Sequence, residues 1–161
     1  MRTGRTVSVP GRYEAVSIKD GVAELVRYRQ TDVWLMPVTG GGEPVRFAGK
    51  FIMFSELAPD GRTVAAFEWP EYREGRLALL DTRTGRVLRK VTIRGLPEGR
   101  HGAVSGTSVW RSGSVLTITY TGPAFSGTLA VDVNTGQARR LTHLPGTAAK
   151  NVILPGTAGI G

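Results

Sequence analysis

The chain has 161 residues, no cysteine, and a formal charge of +8 from 21 basic and 13 acidic residues. That length suits one domain or a few repeats sharing a core. The composition excludes disulfides, thiolate catalysis and thiolate metal sites, and no apolar run is long enough to span a bilayer.

Met1 to Pro10 carries Arg2 and Arg5 with no apolar stretch behind them. It does not read as a signal peptide, so the expectation is a cytoplasmic protein, or a secreted or periplasmic one if the chain is a processed fragment. Residues 1–11 are read as an N-terminal segment in which Val7 to Val9 could add a strand.

From residue 12 onward, two kinds of turn alternate. Asp20-Gly21, Asp60-Gly61 and Ser112-Gly113 form one kind, and each precedes an alternating apolar stretch. Thr39-Gly40, Thr84-Gly85 and Thr135-Gly136 form the other. A polar residue followed by glycine marks a tight hairpin, because turns that match strand twist need positive φ. The alternation therefore predicts two hairpins in series, three times over. The first repeat is Tyr13 to Ile18, Val22 to Arg29, Val33 to Val38 and Pro44 to Phe47. The second is Phe51 to Leu57, Thr63 to Glu68, Arg76 to Asp81 and Arg86 to Ile93. The third is Ala103 to Trp110, Ser114 to Tyr120, Thr128 to Val133 and Gln137 to Leu141. No segment shows a capped 3.6-residue period, so almost no helix is expected. The core is expected to include Trp34, Phe54, Phe67, Leu79, Ile118 and Val131.

Four-stranded repeats of this length have the period of a propeller blade. The predicted fold is all-β, with about three antiparallel four-stranded meander blades at 12–48, 51–94 and 103–143. The propeller-like region spans 12–147. Three blades do not close a ring by themselves. The propeller is therefore read as partial, or as completed by a homo-oligomer, or as closed by the chain ends. In the last case 148–161 supplies a closing strand, Asn151 to Leu154, followed by a Gly-rich tail. The alternative is a β-sandwich, which also shows turns every 8–12 residues.

Leu57-Ala58-Pro59-Asp60-Gly61-Arg62-Thr63-Val64-Ala65-Ala66-Phe67 resembles the SPDG hairpin of TolB-like (PD40, WD40-like) blades, with Ala58 in place of Ser. Val33-Trp34-Leu35-Met36-Pro37-Val38-Thr39-Gly40-Gly41 is similar to the hairpin that follows it in that family. The resemblance implies a propeller and commonly a protein-binding role. It implies no catalytic residues.

Candidate chemistry is sparse. His101 and His143 are the only histidines, and neither has a partner at metal-ligand spacing. There is no P-loop, no dinucleotide fingerprint and no G-x-S-x-G. Asp20, Asp60, Asp81 and Asp132 fall at turns, where a carboxylate caps nearby backbone. The expectation is a non-enzymatic chain without metal or cofactor. Seventeen of the 21 basic residues are arginine, and they are spread along the chain. Dispersed charge argues against a nucleic-acid surface, which stays an alternative, as does an accessory propeller domain of a larger hydrolase.

Two long connections stand out. Glu68 to Gly75 and Tyr120 to Gly127 each join strands that a tight turn could join. Each contains Pro, any residue, then an aromatic: Pro70-x-Tyr72 and Pro123-x-Phe125. In a meander stack these loops share one edge with the segments between blades, and the short Gly turns share the other. Functional residues concentrate on long loops over rigid scaffolds, and aromatic and Arg side chains anchor interfaces. The candidate partner-binding residues are therefore Trp69, Tyr72, Arg73, Arg100 and Phe125, with another protein as partner.

Overall fold

The computed structural model describes residues 13–19, 22–27, 33–37, 44–97 and 102–143, the first three segments as backbone. Arg100, His101, residues 1–11 and residues 148–161 lie outside the described residues, and so do the side chains of Trp34 and His143.

Twelve strands are described: β1 (Tyr13–Lys19), β2 (Val22–Arg27), β3 (Val33–Pro37), β4 (Val45–Arg46), β5 (Phe51–Ile52), β6 (Thr63–Glu68), β7 (Arg76–Asp81), β8 (Val87–Thr92), β9 (Ala103–Trp110), β10 (Val115–Thr121), β11 (Ser126–Asp132) and β12 (Ala138–His143). They form three four-stranded sheets, β1-β2-β3-β4, β5-β6-β7-β8 and β9-β10-β11-β12, each with its strands side by side in chain order. Every pairing within a sheet is antiparallel. These are meanders, and each sheet is one blade.

The second blade has both faces buried. On β6, Val64 and Ala66 face a cluster that contains Phe47, Phe51, Phe54, Ala78 and Leu80. Ala65 and Phe67, of opposite parity, face a second cluster shared with Leu116, Ile118, Leu129 and Val131 of the third blade. A sheet of a two-layer sandwich buries one face only. A sheet packed on both sides by its sequence neighbours is a propeller blade, and the sandwich alternative falls on this point. Phe54, Phe67, Ile118 and Val131 are buried, and Leu79 is partly buried against the same core.

Neighbouring blades are stitched at both radii. At the inner strands, Ser55 and Ser108 form a parallel bridge. The Glu56 N–H donates to the Ser108 carbonyl at 3.2 Å. Trp110 Nε1 of the third blade donates to Ser55 Oγ at 3.0 Å and to the Glu56 carbonyl at 3.1 Å. At the outer strands, the Thr84-Gly85 and Thr135-Gly136 turns each seat on the preceding blade. The Ala48 N–H donates to the Gly85 carbonyl at 3.0 Å, and the Arg94 N–H donates to the Gly136 carbonyl at 2.8 Å. Gly85 (φ 68°) and Gly136 (φ 77°) are left-handed, and a Cβ on them would overlap the carbonyls of Arg46 and Thr92 respectively. Glycine is required there twice, by conformation and by close approach.

Trp110 fixes the inner seam through one indole N–H. Trp110→Phe keeps most of the packing but leaves the Glu56 carbonyl and Ser55 hydroxyl short of a donor. A loss of about 1–2 kcal/mol in urea unfolding is expected.

Candidate functional site

The b–c connection of the second blade begins where β6 ends. The Trp69 N–H donates to the Lys50 carbonyl at 2.9 Å, which holds the loop to the blade's first strand. The Trp69–Pro70 peptide bond is cis. Pro70 then opens a 3-10 helix, Glu71–Glu74, the one helical element among the described residues. Gly75 closes it in the left-handed region (φ 72°), its N–H donating to the Tyr72 carbonyl at 3.1 Å. A side chain on Gly75 would meet Leu96 and Ile93, so the loop lies directly on the segment leading to the third blade.

This loop holds an aromatic platform. The Trp69 and Tyr72 rings stack with centroids 5.4 Å apart and planes 10° from parallel. Tyr72 is half-buried and leans on the shared core. Trp69 is 49% exposed. Arg73 Nε donates to the Tyr72 hydroxyl at 3.0 Å, with its guanidinium carbon 5.6 Å from the Tyr72 ring centroid. The nearby acids Glu68 and Glu74 pair with Lys90 and Arg76.

The matching loop of the third blade is built differently. Phe125 is only 2% exposed. Its ring lies 6.3 Å from that of Tyr120, and the Arg140 guanidinium covers it at 4.7 Å. Phe125 plugs the core, and its ring offers no surface to a partner. Tyr120, also buried, donates its hydroxyl to the Pro97 carbonyl at 2.9 Å, and burial pushes its pKa up. Gly102 lies against that hydroxyl and leaves no room for a side chain. The two loops and the segment that joins the blades therefore share one edge. Among the proposed contact residues, the structure brings Trp69, Tyr72 and Arg73 together, buries Phe125, and does not describe Arg100.

Sequence reasoning missed that Trp69 and Tyr72 stack on each other. Their spacing of three residues across a proline and a short helical turn is the signal that could have found it.

The opposite edge carries the Gly turns of the second and third blades, and the carboxylates Asp60, Asp81 and Asp132 there are occupied. Asp60 accepts from the N–H groups of Arg62 and Thr63 at 2.8 and 2.9 Å. Asp132 accepts from those of Asn134 and Thr135 at 2.8 and 3.0 Å. Asp81, its side chain 2% exposed, accepts from the N–H groups of Arg83 and Thr84 and from Nε and one terminal nitrogen of Arg62, at 2.7–3.0 Å. Burial alone would raise the Asp81 pKa. The Arg62 guanidinium and the two N–H donors outweigh it and hold the carboxyl below 3.8. Stability from this group is therefore full above pH 3.8 and is lost as pH falls through the lowered folded value. Asp81→Asn should weaken the protein at neutral pH and flatten its acid limb, read from unfolding midpoints between pH 2 and 6. Arg89 crosses from β8 to the Val133 carbonyl and ties this edge of the second and third blades together.

The sheets and their seams define a class: three blades of a partial β-propeller. No family model matches the chain, and no curated protein matches it. Among solved structures it is similar to Hsv2 of Kluyveromyces marxianus, with TM-score 0.55 and 12% identity over 78% of this chain and 40% of that one. It is also similar to Hsv2p of Kluyveromyces lactis, with TM-score 0.52 and 14% identity over 86% of this chain and 39% of that one. A europium-containing methanol dehydrogenase gives TM-score 0.50 and 13% identity over 86% and 28%. The chain thus spans about two fifths of the length of the first two structures, and the likeness is one of fold. No described helix is long and apolar enough to cross a membrane.

Proposed function

We propose that this chain is a non-enzymatic β-propeller module that binds another protein through the edge carrying its long loops, with Trp69, Tyr72 and Arg73 as contact residues. One observation carries the reading. A large indole is held half-exposed on a rigid support, at the edge where connections between blades gather. An exposed tryptophan already ordered by stacking loses little entropy when it is covered, which is what an interface anchor requires. The resemblance of the Asp60-Gly61 hairpin to TolB-like blades supports the same reading.

The test compares proteins captured by the wild type and by Trp69→Ala from the same lysate, quantified by mass spectrometry, with circular dichroism to confirm an intact fold. The wild type should retain a discrete set that the variant loses. Equal capture by both would remove the reading.

A further inference from the structure

The chemistry of the partner is written in how Arg73 is held. Its guanidinium does not pair with any carboxylate of a described residue, although Glu71 and Glu74 flank it in sequence. Glu74 turns to Arg76, at 3.7 Å. Arg73 instead spends Nε on the Tyr72 hydroxyl, an uncharged acceptor, and the ring beside it holds the side chain in place. Arginine presents five donors in a fixed fork, and Nε is only one of them. The terminal nitrogens, which match a carboxylate bidentately, carry no charged partner among the described residues. The residue is exposed, so the fork is open to a ligand.

Trp69 contacts the same tyrosine. Tyr72 covers one indole face, and the residue as a whole remains half-exposed. The platform thus offers a flat apolar surface and a cationic fork, each in contact with the same tyrosine. Flat ring-on-ring contact suits proline, and an extended proline-bearing segment is already ordered before it binds. Lys50, whose carbonyl holds the Trp69 N–H, is exposed; Glu68 and Glu74 of the loop are paired with Lys90 and Arg76, and the whole chain carries +8. The fork of Arg73, the one cation of the loop from Glu68 to Gly75, is complementary to a carboxylate.

We infer that the Trp69–Tyr72–Arg73 platform binds an extended acidic segment of a partner protein, a proline ring stacking on Trp69 and a neighbouring carboxylate engaging Arg73. The inference rests on the protein-binding reading of this edge and adds the partner's chemistry to it.

The experiment uses the full chain and three fluorescein-labelled decapeptides, alternating Glu-Pro, Lys-Pro and Ser-Pro, followed by fluorescence anisotropy at 50 and 200 mM salt. A labelled single-stranded thymidine oligomer is the fourth probe. The Glu-Pro peptide should bind best, and the Lys-Pro peptide should not bind. Arg73→Ala should weaken Glu-Pro binding on the order of tenfold or more, the scale of a lost charge-assisted pair. Arg73→Lys should recover part of it. Trp69→Ala should weaken Glu-Pro and Ser-Pro binding alike. Both side chains are exposed, so folding is not at risk, and circular dichroism confirms it. No binding of Glu-Pro by the wild type, binding indifferent to Arg73→Ala, or tighter binding of the thymidine oligomer through Trp69 would each overturn the inference. If Trp69→Ala alone matters, the interface reading stands and the acidic partner is wrong. If neither substitution matters, both fall.

Discussion

Phe67→Ala is expected to destabilise the protein by about 3–5 kcal/mol, a large fraction of the stability of an ordinary domain. Phe67 is fully buried in β6 and faces the cluster between the second and third blades. Ile52 and Leu77 are its cross-strand partners in its own sheet. Leu116, Ile118, Leu129 and Val131 belong to the same cluster from the sheet beyond. Cutting the ring back to a methyl removes its transfer energy and leaves a void that two twisted sheets can close only in part. Equilibrium urea unfolding, monitored by far-ultraviolet circular dichroism, reads the loss. A change below about 1 kcal/mol would mean that Phe67 does not face a packed blade.

Gly136→Ala should cost about 2–4 kcal/mol, a large effect for one methyl group. Part is the left-handed conformation, which a Cβ disfavours by about 1–2 kcal/mol. The rest is overlap with the Thr92 carbonyl of the preceding blade, which is backbone and cannot swing aside. Gly85→Ala should behave likewise, through the Arg46 carbonyl. Two other glycines separate the contributions. Gly61 is left-handed (φ 65°) but has open space around its Cβ position, so Gly61→Ala should show the conformational part alone. Gly113 has neither constraint, and Gly113→Ala should be close to neutral. If Gly136 and Gly61 cost the same, the Thr-Gly turns do not seat on the neighbouring blade.

The strands were legible where both faces are buried and the register is simple. Thr63–Glu68, Arg76–Asp81 and Ala103–Trp110 have the bounds that alternation and turn glycines indicate. The expected strand from Phe51 to Leu57 is interrupted. Pairing with β6 stops after Ile52, Met53 turns left-handed (φ 54°), and the chain then meets β6 again when the Ser55 N–H donates to the Ala65 carbonyl at 2.7 Å. Contacts of Ser55 with Ser108 and Trp110 of the next blade accompany that break, and local sequence holds no sign of them.

The candidate site was half legible. The two proline–aromatic loops looked equivalent, yet Tyr72 supports an exposed platform and Phe125 is buried. The difference comes from what lies above each ring. Arg140 on β12 reaches over Phe125, and Tyr120 flanks it. At Tyr72 the cover is Trp69, from the loop itself. Spacing within a loop shows where a ring starts; the strand that packs over it decides whether it stays exposed.

The most direct test of the stacked-blade account uses the absence of cysteine. Ser55 and Ser108 are buried and bridged across the inner seam, Ser55 just past β5 of the second blade and Ser108 on β9 of the third. Bridged residues of neighbouring strands lie within the span a disulfide needs. Ser55→Cys with Ser108→Cys gives a protein with two thiols. Consecutive propeller blades predict that mild oxidation forms one intramolecular disulfide, the oxidant taking two electrons and two protons, seen as a loss of two hydrogen atoms from the mass of a monomer. Free thiols, or disulfides only between molecules, would contradict the account.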